Sequence, residues 1–272
     1  MFGLTFLSAT SATTTHRVVP FRIKRLLDAV AGYVAGGYDG GRISAIDKIA
    51  FAADTKTTLS ATLTTARFGL AGFANSGVAG YAAGGYDGAA VSGIDKITFA
   101  ADSKTTLSAT LTTARQVPVG FANSGVAGYA AGGEDSATLS GIDKITFAAD
   151  SKTTLSATLT SGAAEGAGFA NSGVAGYVAG GYTPALISRI DKITFAADSK
   201  TTLSATLTTA RYEPVGFANS GVAGYAAGGE DSGGRISAID KIAFAADTKT
   251  TLSATLTNAR RFGAGFANSG TL

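Results

Sequence analysis

The sequence predicts an all-β fold built from five near-identical units, and three observations support this prediction. The motif Gly-Tyr-x-Ala-Gly-Gly begins at Gly32 and recurs four times at intervals of 48 residues. Within each interval, runs of β-branched and aromatic residues alternate with turn residues. The 37 glycines in 272 residues disfavour helix. Because about four strands per 40 to 50 residues is typical of a propeller blade, we expect a closed, five-bladed β-propeller of four-stranded antiparallel blades.

The second unit shows the four predicted strands in order. Tyr81–Ala83 is a small-residue strand that ends at a double glycine, and Val91–Ala100 is a β-branched strand that carries Ile-Asp-Lys-Ile-Thr-Phe. Thr105–Thr113 alternates Leu and Ala with Thr and Ser, which is typical of a half-buried strand. Val119–Gly125 is the fourth strand and ends in an Asn-Ser-Gly turn.

The chain divides into an N-terminal extension, residues 1–30, and the repeats, residues 31–272, with units that begin near 31, 79, 127, 175 and 223. The chain ends in a lone Gly-Phe-Ala-Asn-Ser-Gly at 265–270, and no copy of this motif precedes the first unit. We therefore expect residues 265–270 to supply the innermost strand of blade one and to close the ring, which removes both exposed sheet edges. In a competing register, residues 18–28 supply that strand, and 265–270 pairs with a neighbouring chain in a ring or filament.

Two segments of the first unit resemble Kelch repeats. Gly32–Gly40 resembles the double-glycine strand, and Phe51–Arg67 resembles the stretch in which an aromatic residue and an acidic turn precede a small-residue strand ending in Arg. Leu59 stands where Kelch repeats have Trp. Similar Kelch-like repeats occur in bacteriophage and bacterial proteins. The resemblance, which covers residues 31–270, therefore implies a Kelch-like propeller that is a structural component of a virion or of a bacterial surface.

Composition and charge narrow the function classes. The net charge of +3 resides in residues 1–30, and the neutral repeats argue against nucleic-acid binding. The sequence contains no apolar run long enough to span a membrane and no recognisable secretion signal at its start, so we expect no membrane contact and leave the compartment open. Because cysteine is absent and His16 is the single histidine, the usual metal sites and nucleophilic triads are excluded. We expect neither a cofactor, nor a metal, nor enzymatic activity.

Two sets of charged residues need an explanation. Asp47-Lys48 recurs in every unit, and its side chains point to opposite faces of a strand, so we expect both to contact neighbouring strands or units. The remaining route to catalysis is a pair of carboxylates across one cleft, as in glycosidases. The candidates are four glutamates outside the repeat pattern: Glu134, Glu165, Glu213 and Glu230.

The units differ mainly in two segments, one after the double glycine and one after Leu-Thr-Thr. In a meander of strands, both segments emerge on the same face, whereas the invariant turns emerge on the other. Variation confined to one face is typical of a binding surface on a rigid scaffold, and unconstrained drift of loops is the alternative explanation. The candidate binding residues are Tyr38, Arg42, Tyr86, Glu134, Tyr182, Tyr212, Glu230 and Arg235.

The N-terminal extension contains a second candidate interaction site. Ile23, Leu26, Leu27 and Val30 have the spacing of a short amphipathic helix, which either packs on the repeats or docks a partner chain. A contact of this basic segment with nucleic acid or membrane is a third alternative. The candidate docking residues are Arg22, Ile23, Lys24, Arg25, Leu26 and Leu27.

Together these observations predict a non-catalytic structural or interaction protein that binds another protein, or copies of itself, through its variable face. One alternative is a lectin-like protein with a shallow carbohydrate site in each unit, which would bind multivalently. In that case Tyr33, Phe73 and their copies would stack on sugars if they were exposed, but we expect them to be mostly buried. Another alternative is a designed or amplified repeat scaffold.

Overall fold

The computed structural model describes residues 31–263 and residue 265. These residues form 21 strands joined by turns and irregular segments, and the described part of the chain contains no helix. The all-β prediction is therefore confirmed for this part of the chain. The predicted short helix and the docking segment at Arg22–Leu27 lie outside the described residues.

The strands form four four-stranded sheets, one three-stranded sheet and one two-stranded hairpin, all antiparallel. The three-stranded sheet contains β1 (Ala31–Tyr38), β2 (Arg42–Ala50) and β3 (Thr55–Thr62). The next two sheets contain β4 (Ala71–Asn75), β5 (Ala79–Ala83), β6 (Ile94–Thr98) and β7 (Ser103–Thr106), and β8 (Val119–Asn123), β9 (Ala127–Ala131), β10 (Ile142–Thr146) and β11 (Ser151–Thr154).

The C-terminal part of the array follows the same pattern. The fourth sheet contains β12 (Ala167–Asn171), β13 (Ala175–Ala179), β14 (Ile190–Thr194) and β15 (Ser199–Thr202). The fifth contains β16 (Val215–Asn219), β17 (Ala223–Ala227), β20 (Ile239–Ala243) and β21 (Thr248–Thr251), and the hairpin is β18 (Glu230–Asp231) with β19 (Gly234–Arg235).

The predicted closed five-bladed propeller is wrong. The sheets are six separate open sheets, and each large sheet packs on the next in chain order, β4 on β8, β8 on β12 and β12 on β16. Within the described residues β1 has no inner-strand partner, so the first sheet has three strands there. The predicted closing strand, residues 265–270, lies outside the described residues apart from Gly265. The physical reason is that an inner strand beside β1 is what would join the last sheet to the first, and no described strand supplies it.

Glycines at matching positions in the inner strands allow the close approach of successive units. A Cβ on Gly120 would overlap the carbonyl oxygen of Gly72, and Gly168 is placed against Gly120 in the same way. On the neighbouring strand, a Cβ on Gly128 would overlap the ring of Phe73. Glycine is therefore required at these positions, because the strands of successive units pack too closely to admit a side chain.

The core lies largely between units. The ring of Tyr129 stacks between Phe121 of its own sheet at 5.1 Å and Phe195 of the next sheet at 5.2 Å, and Tyr129 is fully buried. Such aromatic pairs contribute about 0.5 to 1.5 kcal/mol beyond the area they bury. Phe73, Phe121 and Phe169 are at most 7 % exposed, which confirms the expected burial for the inner units. At the ends of the array, Tyr33, Phe217 and Tyr225 are half-buried.

The third predicted strand is only partly formed. β7 ends at Thr106, and the segment up to Leu111 makes isolated backbone hydrogen bonds, in which Leu107 and Leu111 donate to Ile94 and Ser92. Leu107 and Leu111 are nevertheless buried, as their alternation with Thr predicts. The segment leaves the sheet because the next threonine bonds to the following unit, as described next.

The recurring aspartates are buried at the junctions between units. Asp95 accepts hydrogen bonds from the backbone N and Oγ1 of Thr64 in the preceding unit, at 2.9 and 2.7 Å, and forms an ion pair with Arg67 at 3.2 Å. Burial alone would raise the pKa of Asp95. Hydrogen bonds from Thr64 and Thr106 and the charge of Arg67 outweigh burial, and the pKa lies below its ordinary value.

The lysine of the same motif bonds to a different aspartate. Lys96 Nζ donates to Asp150 Oδ2 of the next unit at 2.6 Å, and Tyr81 OH donates to Asp150 Oδ1 at 2.9 Å. Asp150 lies in a turn with a φ of 49°. The prediction that the Asp-Lys pairs contact neighbouring units is confirmed.

Candidate functional site

The two variable segments lie side by side along the array. The first residue after each double glycine forms a β-bridge to the first residue after the Leu-Thr-Thr-Ala-Arg position of the preceding unit. At Tyr86, the backbone N donates to Phe68 O at 2.8 Å, and Phe68 N donates back to Tyr86 O at 3.2 Å. The four bridges are Phe68 with Tyr86, Gln116 with Glu134, Ala164 with Tyr182, and Tyr212 with Glu230. We call this surface the variable face.

A backbone ladder supports the variable face. Val117 N donates to Gly69 O at 2.7 Å, Glu165 N to Val117 O at 3.2 Å, and Glu213 N to Glu165 O at 2.7 Å. Val117, Glu165 and Glu213 have φ values of 47°, 60° and 52°, a region that non-glycine residues rarely adopt. Because backbone strain persists only where the surroundings enforce it, the ladder holds the variable side chains on a rigid support.

The N-terminal part of the variable face is aromatic. The ring of Phe68 lies 5.7 Å from that of Tyr38 and 5.5 Å from that of Tyr86, and the guanidinium of Arg42 lies 5.8 Å from the centre of the Tyr86 ring. Tyr38 is 65 % exposed. Three of the predicted binding residues therefore meet in one exposed cluster, together with Phe68, which sequence reasoning did not single out.

The C-terminal part of the variable face is acidic. Glu213 and Glu165 are close enough for their charges to interact, and Glu134 and Glu230 extend the row at either end. Burial and the charge of Glu165 raise the pKa of Glu213 to about 7, against the opposing charge of Arg261. The four glutamates therefore do meet on one face, as the sequence allowed.

Arg261 is the cation that holds this acidic row together. It forms ion pairs with Glu230 at 3.1 Å and with Glu213 at 3.3 Å, and its Nη1 donates to Tyr212 OH at 2.6 Å. Sequence reasoning missed Arg261. The available signal was its position, because it stands where the other units have Phe68, Gln116, Ala164 or Tyr212.

The two remaining predicted residues lie at the edge of the variable face. Tyr182 is 40 % exposed and forms its β-bridge with Ala164. Arg235 lies in β19, is largely exposed, and approaches Glu230 to 3.9 Å. The structure thus brings Tyr38, Arg42 and Tyr86 together at one end of the array and Tyr212, Glu230 and Arg235 together at the other. Glu134 and Tyr182 lie at the two bridges between these ends.

Glu213, one of the four glutamates considered for catalysis, forms an ion pair with Arg261. A groove of about 890 Å³ between the first two sheets is lined by apolar and small residues, including Tyr33, Leu70 and Phe73, and by no carboxylate. Within residues 31–263, no group of His, Asp or Glu side chains is arranged to hold a metal ion. The same part of the chain has no helix long and apolar enough to cross a bilayer.

Comparison with known proteins gives no family for this chain. No protein-family model and no curated protein sequence matches it. The resemblance to Kelch repeats therefore stays a prediction from the quoted motifs. A function must be argued from the variable face and from the junctions between units.

Proposed function

We propose that the protein is a non-catalytic repeat scaffold that binds a protein partner through its variable face. The observation that carries this proposal is the placement of the residues that differ between units. They lie together on one surface, supported by the backbone ladder, whereas the residues that join units hardly change. A rigid support with variable side chains is typical of binding surfaces.

The chemistry of the variable face defines the partner it fits. Tyr and Arg are enriched at the energetic centres of protein interfaces, and Tyr38, Arg42 and Tyr86 form such a cluster. A suitable partner therefore presents an apolar patch to this aromatic cluster.

The lectin alternative has weaker support from the same observations. Sugar stacking needs exposed rings, and the rings of Tyr81, Tyr129 and Tyr177 are buried between units. The setting that the resemblance implies, a virion or a bacterial surface, stays a prediction.

The test is capture of proteins from the lysate of the encoding organism by immobilised protein, with quantification by mass spectrometry. The double variant Tyr38→Ala/Tyr86→Ala removes the aromatic cluster. The matched control is Val126→Ala/Val174→Ala, which removes two exposed side chains from the invariant turns. We expect a captured protein that the wild type and the control retain and that the double variant loses at least about tenfold. Equal capture by all three would contradict the proposal.

A further inference from the structure

The junctions between units bury two sets of complementary side chains, as the junction between the fourth and fifth units shows. Tyr177 and Lys192 of the fourth unit donate to Asp247 of the fifth at 3.1 and 2.7 Å. Arg211 of the fourth unit forms an ion pair with Asp240 of the fifth at 3.1 Å. The following unit thus supplies two carboxylates, and the preceding unit supplies the groups that bind them.

The first unit exposes the acidic half of this junction. We call Asp47, Phe51 and Asp54 the leading face, because they are the copies of Asp240, Phe244 and Asp247. Phe51 is 54 % exposed, whereas Phe244 is 6 % exposed and stacks on Tyr177 at 5.2 Å. Asp47 contacts only Lys56 and Thr58 of its own unit, and Asp54 has no side-chain hydrogen bond, among the described residues.

The leading face is identical in sequence to a surface that is already docked within the chain. Residues 40–64 match residues 233–257 at every position, and no other unit shares this segment without changes. Residues 233–257 provide the surface that docks on the fourth unit. The first unit therefore has all the side chains that are needed to dock on a unit of the same kind.

The fifth unit exposes the basic half of the junction. We call Tyr225, Lys241 and Arg260 the trailing face, because they are the copies of Tyr177, Lys192 and Arg211. Tyr225 stacks only on Phe217, at 5.1 Å, and Lys241 has no side-chain hydrogen bond within the described residues. Arg260 is exposed, whereas Arg211 is fully buried.

At the trailing end, the backbone also continues the glycine contacts that join successive inner strands. A Cβ on Gly265 would press on the carbonyl oxygen of Gly216, so Gly265 continues the glycine contacts by one more unit. At the leading end, β1 has no inner-strand partner among the described residues, and the apolar groove lies along it. In the other sheets this position is filled by an inner strand with the sequence that begins at Gly265.

We propose that the protein associates head to tail, with the leading face of one copy docked on the trailing face of another as the fifth unit docks on the fourth. The two faces complement each other in charge, in aromatic stacking and in backbone shape. Because the contact joins different surfaces of identical chains, each docked copy offers a free face to the next, and association continues beyond the dimer into a filament or a ring. The contact continues the row of backbone bridges, with Arg261 of one copy beside Tyr38 of the next, and leaves the other bridges of the variable face uncovered.

The test uses sedimentation velocity of the full chain over a series of concentrations. We expect the wild type to form a ladder of oligomers, and Asp47→Asn/Asp54→Asn to weaken association at least about 30-fold, since each carboxylate leaves a buried cation unpaired. The control Asp135→Asn, an exposed carboxylate on the variable face of the third unit, is expected to associate like the wild type. A wild type that stays monomeric at every concentration would overturn the proposal.

A mixing experiment tests the pairing of the two faces. Asp47→Lys/Asp54→Lys blocks the leading face, and Lys241→Asp/Arg260→Asp blocks the trailing face. Each variant alone is expected to stay monomeric, and an equimolar mixture is expected to form dimers and nothing larger, because each copy keeps one working face. Long oligomers from either variant alone, or no dimers in the mixture, would contradict head-to-tail docking.

Discussion

At the scale of single residues, each junction is built around a buried aspartate that needs a cation. Arg115 pairs with Asp143 at 3.0 Å, but the third unit has Ala163 at the position of this arginine. The fourth unit then has Arg189 where other units have Ala or Gly, and Arg189 Nε lies 3.2 Å from Asp191. At this junction the arginine therefore comes from the same unit as the aspartate, and not from the preceding unit. The pairing itself is retained, because an unpaired buried charge is costly.

The first prediction concerns this exchanged arginine. Arg189→Ala leaves Asp191 without its guanidinium and is expected to cost roughly 2 to 4 kcal/mol of unfolding free energy. Ala163→Arg in the same chain is expected to recover most of the loss, since it restores the arrangement of the other junctions. Urea unfolding followed by circular dichroism measures both. The exposed Arg235→Ala is the control, and failure of Ala163→Arg to recover stability would contradict the pairing.

The second prediction concerns pH. The folded protein raises the pKa of Glu213 to about 7, so it holds this proton more tightly than the unfolded chain does. The stability that comes from the protonated side chain is present below the ordinary pKa of about 4.5 and is lost as pH rises through about 7. We expect the thermal midpoint to fall between about pH 5 and about pH 8, and Glu213→Gln to flatten this fall.

Two comparisons make the pH prediction specific. The exposed Asp135→Asn is expected to leave the pH profile unchanged. Below about pH 4, both the wild type and Glu213→Gln are expected to lose stability, because Asp95, Asp191 and Asp240 have lowered pKa values and must be protonated there. A profile that is identical in the wild type and in Glu213→Gln would show that this carboxyl is not the titrating group.

At the scale of strands, the glycines decide how closely units approach. Gly120 sits against the backbone of Gly72, whereas Gly72 itself has open space where a Cβ would lie. The same substitution at these two copies of one position therefore has two different outcomes.

The third prediction compares these two glycines. Gly120→Ala is expected to lower the unfolding free energy by roughly 2 kcal/mol or more, because the inner strands must separate to admit the methyl group. Gly72→Ala is expected to leave stability unchanged and to weaken head-to-tail association, since an inner strand from a second copy would approach there. Thermal unfolding and sedimentation velocity measure the two effects. Equal destabilisation by both substitutions would contradict the open end.

The sequence predicts much at this scale. The turn residues and the alternation of Leu with Thr locate the strands, and the recurrence of Asp47-Lys48 predicts contacts between units. The prediction of a strand over Thr105–Thr113 is wrong in part. Thr112 forms hydrogen bonds with Asp143 of the next unit, and no local sequence pattern indicates such a contact. The residues of the candidate site can be predicted from the differences between units. The role of Arg261 could be predicted only by knowing that variable segments of successive units form bridges.

At the scale of the whole molecule, the closed ring is the largest error of sequence reasoning. Strand count and spacing are the same for a ring and for an open array. The two arrangements differ in the angle between neighbouring units, which periodicity does not report. An open array behaves nearly as a one-dimensional chain of units and nearest-neighbour junctions.

The fourth prediction removes whole units. Deletion of residues 79–126 brings Arg67 opposite Asp143 and keeps every junction paired, so we expect a shorter array that still unfolds cooperatively. Deletion of residues 175–222 removes the same length and brings Ala163 opposite Asp240, which then lacks an arginine. We expect the second variant to be less stable by roughly 2 to 4 kcal/mol. Loss of folding in both would indicate a closed ring, in which every unit is required.

The separation of the variable face from the junctions has an evolutionary consequence. A mutation of an exposed side chain on this face, such as Tyr182, changes what the surface presents, whereas the bridge from Tyr182 to Ala164 of the preceding unit is formed by backbone atoms alone. Duplication of a unit then adds a copy whose exposed side chains are free to change, while its glycines and paired aspartates are constrained by packing against the neighbouring units. The number of units, and with it the extent of the variable face, is therefore not fixed by the architecture.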